Sequence, residues 1–297
     1  MRTDVLASLE PSSKSAYIRT WARFAVFMKS TFGVSPHQAS VGQVELFVVQ
    51  LHNEGLASKT IRQNLSHLTF QFQLQQKEPP TSSFNISKLL MSYSKSDPPP
   101  SIRLPITSNI LLQMIDALQV MPYTNFERIL LTALFTLMYQ ALLRISEVAP
   151  SPRTNHHLRP TQIILKKNSP NLTLRFLTFK FSKPGTVPLQ IPYAQDKTCA
   201  VTAYTNYLAV RPKSSTSAFI RQDRTPINPK FVTKHIRSVL QFLGHNSSDF
   251  SNHSFRIGKA TDMSRRGFTD TQICLAGRWS SAAFRKYIKP QILRFQN

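Results

Sequence analysis

Six side chains in the C-terminal two thirds of the sequence have chemistry suited to a phosphate group. They are, in chain order, Arg144, Lys183, His253, Arg256, Trp279 and Tyr287. Arginine presents a planar fork that matches phosphate oxygens, histidine and the indole N–H are further donors, and a tyrosine hydroxyl can act as a nucleophile. Fixed cations and N–H donors stabilise the negative charge that a phosphodiester transition state spreads over its nonbridging oxygens. The set is therefore suited to phosphoryl transfer onto an enzyme side chain.

Three of these six residues have a polar neighbour three positions away, and each of the two resulting pairs also allows a simpler interpretation. In the segment ALLRISEV, Arg144 and Glu147 follow an apolar helix. They could form a structural ion pair, because a partly buried guanidinium requires an anion in any case. In HSFRIGKA, His253 and Arg256 share one face of a helix start, where phosphates bind readily. One His–Arg pair at this spacing is by itself a weak indication of a phosphate site.

The other three candidates are also ordinary when each is taken singly. Lys183 lies in the turn of FKFSKPGTVPLQI, where a hairpin often carries a surface lysine, and Lys180 is an alternative in the same segment. Trp279 and Tyr287, in GRWSSAAFRKYIKP, would usually be core aromatic residues. Only the combination and the order of the six groups indicate a shared site.

That order resembles the catalytic domain of tyrosine recombinases, the phage-type integrases. In this family an arginine is followed by a lysine on a hairpin, by His-x-x-Arg, by a second His or a Trp, and by a tyrosine. The segments HSFRIGKAT and LAGRWSSAAFRKYI are most similar in sequence to recombinases of eukaryotic mobile elements of the DIRS, Ngaro and Crypton kinds. The resemblance covers nearly the whole chain, because the N-terminal region is similar to the helical core-binding domain of the family.

The resemblance implies a role for each residue at a scissile phosphate. Arg144 and Arg256 clamp the phosphate, and Glu147 supports Arg144. His253 donates to the phosphate and assists proton transfer, and Trp279 stands where many relatives have a second histidine. Tyr287 attacks the phosphorus, and Lys183 is the general acid for the leaving 5′ oxygen. Attack by a side chain produces a covalent intermediate, here a 3′-phosphotyrosyl link. Because that link keeps the phosphodiester bond energy, religation needs no ATP.

The sequence departs from the family pattern at three places. Many relatives have a small residue, often glycine, two positions before the first arginine, where this chain has Leu142 followed by Leu143. The tyrosine commonly stands nine residues after the His or Trp position, whereas here it stands eight residues after Trp279. Pro184 follows the hairpin lysine, which puts the assignment of Lys183 in doubt. None of these departures removes a catalytic group.

The charge balance favours a polyanionic partner. Lys and Arg total 37 and Asp and Glu total 14, so the 297-residue chain has a formal net charge of +23. A charge of this size repels itself unless a polyanion neutralises it, and for a soluble basic protein that polyanion is usually nucleic acid. A ribosome-associated protein or a basic protein of the membrane surface would show the same balance.

Other features predict an intracellular protein, nuclear if the host is eukaryotic. The two cysteines, Cys199 and Cys274, are far apart and in no metal-like spacing, which fits a reducing compartment. The start MRTDVLASLEP does not have the pattern of a signal peptide. The longest apolar stretch, residues 129–143, is too short to span a bilayer, so we expect no membrane partner.

Residues 1–95 are predicted to form a helical, DNA-binding core-binding domain. Apolar residues recur at three- and four-residue steps after Pro11, over 41–53, over 59–75 with Ser58 as the cap, and over 86–93. Five cations on these helices are candidates for phosphate contacts: Lys14, Arg19, Arg23, Lys59 and Arg62. For each one taken singly, a solvated helix face is the simpler explanation.

The proline-rich segment 96–104 is predicted to be a stiff linker to a catalytic domain over 105–297. Three antiparallel strands are predicted over 161–167, 172–181 and 187–192, separated by NSPN and SKPG. Helices are predicted over 110–120, 126–143, 197–210, 229–243, 254–267, 270–275 and 280–288. The expected fold is therefore mainly α with a small antiparallel sheet: a helical N-terminal domain followed by an α+β catalytic domain.

The function that these observations favour is a site-specific DNA recombinase or integrase that works without metal or ATP. The sequence shows neither the clustered carboxylates that would hold two Mg²⁺ ions nor a GxxxxGK[ST] phosphate loop. No cofactor is expected. Alternatives are a non-catalytic DNA-binding protein derived from such an enzyme, a type IB topoisomerase, and a basic RNA-binding protein, which would not explain the order of the phosphate-directed groups.

Double-stranded DNA is the expected partner. The family resemblance implies a C-shaped clamp around the duplex and a homo-tetramer on paired DNA sites, whose protomers exchange their C-terminal segments. The segment QILRFQN is then expected to dock on a neighbouring protomer, with a frayed tail as the equal alternative. The DNA site, the direction of the reaction and the host do not follow from the sequence.

Overall fold

A computed structural model of the chain describes residues 5, 9, 11–99, 103–151, 156–165, 170–176, 188–213, 216–279 and 282–288. The chain divides into two compact units, Met1–Pro100 and Ser101–Asn297. Each unit has its own hydrophobic core. None of the helices within the described ranges is long and apolar enough to cross a membrane.

The first unit is helical. Its helices are α1 (Pro11–Phe32), α2 (Val41–Asn53), α3 (Ser58–Leu74) and α4 (Phe84–Ser96), with a short 3-10 turn at Pro36–Gln38. The apolar positions at three- and four-residue steps face inward, as their spacing predicts. The core includes the fully buried side chains of Phe24, Phe47 and Leu51, and the aromatic rings of Phe24 and Phe47 meet edge to face with centroids 5.0 Å apart.

Polar side chains cap the start of α2, whereas the start of α3 differs from the prediction. Ser40 and Gln43 form a reciprocal capping box at the start of α2. The prediction that Ser58 caps α3 is wrong, because Ala57 occupies the N-cap and makes no side-chain cap bond. Ser58 instead is the first helical residue, and its backbone N–H and its hydroxyl both donate to the carboxylate of Asp97.

The second unit combines helices with a small sheet. Its helices are α5 (Ser108–Val120), α6 (Asn125–Gln140), α7 (Ile145–Val148), α8 (Ala200–Val210), α9 (Pro229–Phe242), α10 (Ser254–Arg265) and α11 (Asp270–Gly277), followed by a 3-10 helix at Ala282–Tyr287. The strands are β1 (Ile163–Leu165), β2 (Leu172–Leu174) and β3 (Leu189–Ile191). They pair antiparallel in the order β1-β2-β3, with Ile163 opposite Leu174 and Leu172 opposite Ile191.

The mainly helical fold with a small antiparallel sheet is therefore as predicted, although the described strands are shorter than the sequence pattern. The segment of the predicted hairpin that carries Lys180, Lys183 and Pro184 lies outside the described residues, and so does the segment QILRFQN. The prediction that a helix continues to Leu143 is wrong, because α6 ends at Gln140. Leu142 then adopts a left-handed backbone conformation with φ 47°, which reverses the chain before Arg144.

Helix α10 is held rigidly in the centre of the second unit. Its Gly258 meets the chain just before α5 so closely that a Cβ there would lie 1.7 Å from the carbonyl oxygen of Ile106. One turn later, the Asp262 carboxylate accepts hydrogen bonds from the Ser108 backbone N–H at 2.7 Å and from the Tyr139 hydroxyl at 2.5 Å. Because a buried carboxylate requires such partners, these contacts fix α10 against α5 and α6.

Candidate active site

Helix α10 presents two of the predicted residues from its first turn. His253 is the N-cap residue and Arg256 follows on the first turn of the helix. The Ile106 backbone N–H donates to the Ser254 carbonyl at 2.9 Å, and the Ser254 hydroxyl accepts from the Ser251 backbone N–H at 3.0 Å. The start of α10 is therefore fixed on both sides, which gives His253 and Arg256 defined positions.

The chain reversal after α6 positions the first arginine. Arg144 is the N-cap residue of the one-turn helix α7. Its backbone N–H donates to Glu147 Oε2 at 2.8 Å, and its Nη1 donates to Glu147 Oε1 at 3.1 Å. The Glu147 side chain is 1% exposed, whereas that of Arg144 is 21% exposed. The guanidinium of Arg144 is thus bound by the buried Glu147 and still reaches solvent.

Arg256 is the largest fully buried side chain of the described structure. Its Nη1 donates to the carbonyl of Leu142, and its Nη2 donates to the carbonyl of Gly277 at 3.0 Å. Its Cζ lies 4.5 Å from the ring centroid of Trp279 and 5.7 Å from that of Tyr287, which are cation–π distances. Its Nε is buried and has no hydrogen-bond partner among the described residues, so a donor remains for an incoming anion.

Tyr287 meets both residues of the α10 start. Its hydroxyl lies 2.8 Å from His253 Nε2, and its ring centroid lies 5.0 Å from that of Trp279. The Thr261 hydroxyl donates to the Tyr287 carbonyl at 3.2 Å, which fixes the backbone. Behind these rings a small apolar cluster, which includes Met263 and Phe284, supports the 3-10 helix that carries the tyrosine.

The cluster carries an excess of positive charge. Three arginines, including Arg278 beside Trp279, surround the single carboxylate of Glu147. Burial, followed by the charge of the neighbouring Arg144, lowers the pKa of Arg256, yet a guanidinium remains protonated at neutral pH. The protein groups packed around the His253 ring partly desolvate it, although the residue reaches the surface, and this desolvation, with Arg256 and Arg144 nearby, lowers its pKa below the ordinary value. His253 is therefore neutral at pH 7, and the uncompensated charge of the arginines attracts an anion.

No cluster of three or more His, Cys, Asp or Glu side chains that could hold a metal ion is found among the described residues.

Sequence comparison identifies the family of this site. The profile of the Phage integrase family matches residues 106–290, which is more than half of the chain and includes every residue of the site described above.

The chain belongs to the Phage integrase family.

Solved structures of tyrosine recombinases share the fold of this integrase-family chain. The Tn1549 transposon integrase in complex with circular intermediate DNA is 14% identical, with 89% of this chain and 86% of that chain covered and a TM-score of 0.62. XerH recombinase bound to a palindromic difH substrate is 12% identical, with coverages of 95% and 76% and a TM-score of 0.65. A lambda integrase dimer bound to a COC′ core site is 12% identical, with coverages of 99% and 76% and a TM-score of 0.60. Comparison with curated protein sequences finds no significant match.

The structure explains one departure of this chain from the family pattern. Leu142 stands where many relatives have glycine, and its φ of 47° lies in the left-handed region that glycine favours. Leu142 is 1% exposed and packs with Met263 and Phe284 in the apolar cluster behind the site. The burial of its side chain offsets the backbone strain, and the same reversal aims its carbonyl at Arg256.

The structure brings together five of the six predicted catalytic residues, and Glu147 with them. The sixth, Lys183, and its alternative Lys180 lie outside the described residues. The five N-terminal candidates all belong to the first unit: Lys14, Arg19, Lys59 and Arg62 are exposed, and Arg23 is half-buried and paired with Glu54. Two features were missed by the sequence reading: Arg278, and the exposed cations of α9, which are Lys230, Lys234 and Arg237. Their four- and three-residue steps on one helix face could have revealed the α9 group.

Proposed function

We propose that this chain is a site-specific DNA recombinase or integrase that cuts and rejoins DNA through a 3′-phosphotyrosyl intermediate. The observation that carries the proposal is the contact of the Tyr287 hydroxyl with His253 Nε2 at 2.8 Å, above the guanidinium of Arg256. A nucleophile within hydrogen-bond reach of a neutral base, beside fixed cations, is the arrangement that attack on a phosphodiester requires.

His253 is suited to take the proton of the nucleophile. Its lowered pKa keeps the ring neutral at pH 7, so Nε2 can accept the hydroxyl proton of Tyr287. The Tyr287 oxygen then forms a bond to phosphorus while the bond from phosphorus to the 5′ oxygen breaks. Lys183 is the proposed donor of the proton that the leaving oxygen takes up. Reversal of the same steps, with a 5′ hydroxyl as the nucleophile, rejoins the strand without metal or ATP.

The groups that would bind the phosphate differ in how far they are exposed to solvent. Arg144 is partly exposed and His253 is exposed, whereas Arg256 is 0% exposed beneath the rings of Trp279 and Tyr287. Arg144 and His253 are therefore the groups that an incoming phosphate meets first. Arg256 contacts the phosphate once the ring of Tyr287 turns outward, toward the position from which its hydroxyl attacks.

Two polar surfaces support DNA as the substrate. In the first unit, a groove of about 370 Å³ between α1 and α3 is lined by Arg19, Arg23, Gln63, Asn64 and His67 together with Ala16 and Thr20. These include the arginine and amide groups that hydrogen-bond base edges and phosphates. In the second unit, the cations of α9 line a second shallow groove. The Tn1549 integrase, XerH and lambda integrase structures are all complexes with DNA, which supports the same assignment here.

The finer parts of the proposal rest on the sequence resemblance. The chain comes from a mobile element of the DIRS, Ngaro or Crypton kind. It forms a homo-tetramer on paired double-stranded DNA sites, in which the C-terminal segment docks on a neighbouring protomer. A linker around residues 96–104 joins its two DNA-binding domains. A nuclear location would follow if the host is eukaryotic.

A covalent-trapping assay tests the proposal. Wild type, Tyr287→Phe and the control Tyr193→Phe, an exposed tyrosine after β3, would be mixed with nicked suicide duplexes from the termini of the element, in EDTA. We expect a protein–DNA adduct on a denaturing gel from wild type and from Tyr193→Phe but not from Tyr287→Phe. Adduct formation by Tyr287→Phe would refute the assigned nucleophile. Salt-sensitive binding without any adduct would favour a non-catalytic DNA-binding protein.

A further inference from the structure

The side chain of Arg278 is buried against the turn after α6 and against Glu147, the carboxylate that binds Arg144. It is 7% exposed. Its Nη1 donates to the Ala141 carbonyl at 3.0 Å, and its Nη2 donates to Glu147 Oε2 at 2.8 Å and to the Leu142 carbonyl at 3.4 Å. Arg278 thereby joins the turn after α6 to the carboxylate that anchors Arg144.

Arg278 shares its acceptors with both of the other arginines. Glu147 Oε2 also accepts the backbone N–H of Arg144, and Oε1 accepts its side chain. The Leu142 carbonyl also accepts the Nη1 of Arg256. Since one carboxylate and one carbonyl connect the three guanidinium groups, a displacement of Arg278 is transmitted to Arg144 and Arg256 together.

The backbone at Arg278 indicates that its side chain has a specific role. The residue ends α11 in a left-handed conformation, with φ 55° and ψ 48°. Glycine is the usual residue at such a helix end, because an L side chain is strained there. Strain of this kind persists only where surrounding contacts offset it, and it is commonest at functional sites. The turn also brings Trp279, the next residue, onto the guanidinium of Arg256 at 4.5 Å.

Arg278 occupies its two terminal nitrogens with protein acceptors, whereas its Nε is buried and has no hydrogen-bond partner in the described part of the chain. Its guanidinium lies 4.2 Å from the ring centroid of Phe176 and donates to protein acceptors. Burial lowers its pKa and Glu147 raises it, and the guanidinium remains charged. Because Glu147 is buried, its carboxylate needs charged donors, and its two oxygens bind both Arg144 and Arg278.

We propose that Arg278 is a positioning residue that fixes both phosphate-directed arginines through Glu147 and the Leu142 carbonyl. This inference rests on the proposed recombinase activity. Without Arg278, Arg144 is the one ion-pair partner that Glu147 keeps among the described residues, and Glu147 draws that guanidinium away from the phosphate. The Leu142 turn and Trp279 also lose a restraint on the side of Arg256. The chemical step is therefore impaired, while the exposed surfaces that bind DNA are unchanged.

The test separates the side chain of Arg278 from its backbone conformation. Arg278→Gly keeps the left-handed turn without strain but removes the guanidinium, Arg278→Lys keeps a charge, and Arg278→Met keeps only a comparable length. Lys197→Met is the matched control, because it removes a cation from an exposed ion pair with Asp116, away from the site. Single-turnover cleavage at saturating nicked duplex and the dissociation constant for DNA would be measured for each folded variant.

We expect Arg278→Gly and Arg278→Met to cleave roughly 100-fold more slowly at saturating DNA, because a misplacement of a reacting group by about 1 Å can cause a loss of that size. Their affinity for DNA should stay within about threefold of wild type. Arg278→Lys should recover part of the rate, and millimolar guanidinium should partly rescue Arg278→Gly. The double variant Glu147→Gln/Arg278→Gly should be no slower than the slower single variant, because the two residues act as one unit.

Wild-type cleavage by Arg278→Gly, or a loss of affinity equal to the loss of rate, would overturn the positioning role. Failure of the recombinase proposal is distinguishable, because wild type itself would then form no adduct. The arrangement would in that case be tested without DNA, by the emission of Trp279 in a Trp21→Phe background. We expect Arg278→Gly to change that emission and Arg278→Lys to preserve it. Unchanged emission in Arg278→Gly would refute the restraint on Trp279.

Discussion

The exposed cations of the first unit differ in their environment from the site arginines of the second unit. In the first unit, Lys14, Arg19, Lys59 and Arg62 are exposed on helix surfaces. In the second, the arginines of the site are partly or fully buried and donate to backbone carbonyls and to Glu147. An exposed lysine or arginine keeps most of its hydration and side-chain freedom, so each contact with a phosphate is weak and adaptable. A buried arginine has been oriented during folding and needs no reorganisation when an anion arrives.

This difference separates binding from chemistry. Many exposed cations give affinity for DNA of any sequence, and each can be removed at small cost. The buried cluster contributes few additional contacts, but its geometry must fit the charge that develops in the transition state. Substitutions in the first unit are therefore expected to change dissociation constants and salt dependence, and substitutions in the cluster are expected to change rates.

The largest expected effect is on the rate of cleavage by Arg256→Ala. We expect a decrease of about 10³-fold at saturating DNA, because the lost guanidinium is the most buried phosphate donor of the site. Arg62→Ala, which removes an exposed arginine of α3, should instead weaken DNA binding and leave the saturated rate near that of wild type. Single-turnover cleavage and a binding isotherm for each variant would distinguish the two. A rate defect in Arg62→Ala as large as that of Arg256→Ala would contradict the separation of roles.

The next-largest expected effect is on stability, and it compares one closely packed glycine in the second unit with one open glycine in the first. A Cβ at Gly258 would lie 1.7 Å from the carbonyl oxygen of Ile106, so Gly258→Ala should destabilise the second unit by about 3 kcal/mol. Gly42 in α2 has open space and needs no positive φ, so Gly42→Ala should stabilise the first unit by about 0.5–1 kcal/mol.

The two tryptophans of the chain, Trp21 and Trp279, report on one unit each. Urea denaturation followed by emission in a Trp279→Phe background would measure the effect of Gly42→Ala, and a Trp21→Phe background would measure that of Gly258→Ala. Tolerance of alanine at 258 would mean that α10 and the chain at Ile106 can separate, and that the start of α10 is less fixed than its contacts indicate.

A third effect compares the pH dependence of stability in the two units. Burial, with Arg19 nearby, lowers the pKa of His67 in the first unit. Burial also lowers the pKa values of His235 and His253 in the second unit, with Lys234 and Arg221 adding to the effect at His235 and Arg256 and Arg144 adding at His253. A lowered folded-state pKa means that the unfolded state binds more protons, so stability is complete above the unfolded value and declines as pH falls below about 6.5.

Because two of the three histidines belong to the second unit, we expect its denaturation midpoint to fall more between pH 7.5 and pH 5 than that of the first. The same pair of single-tryptophan variants would report each midpoint. A second unit that is equally stable at both pH values would contradict the lowered pKa values of His235 and His253.

The sequence predicts the fold and most of the site because both leave local or ordered patterns. The helices of the first unit follow from apolar spacing, and the order of Arg144, His253, Arg256 and Tyr287 identifies the family. The end of α6 was misplaced because Ala141, Leu142 and Leu143 continue the apolar pattern, although the backbone reverses there. The role of Arg278 was missed because its partner Glu147 is 131 positions away, and a contact at that separation leaves no periodic pattern.

The smallest expected effect compares two arginines of the first unit, and it tests whether exposed cations really act singly. Arg19→Ala should lower the slope of the logarithm of DNA affinity against the logarithm of salt concentration by about 1, for specific and unrelated duplexes alike. Arg23 already pairs with Glu54, so Arg23→Ala should change the slope less. Equal slopes for both variants would mean that DNA displaces Glu54 from Arg23, whereas an effect of Arg19→Ala confined to one duplex would make Arg19 a base-reading residue.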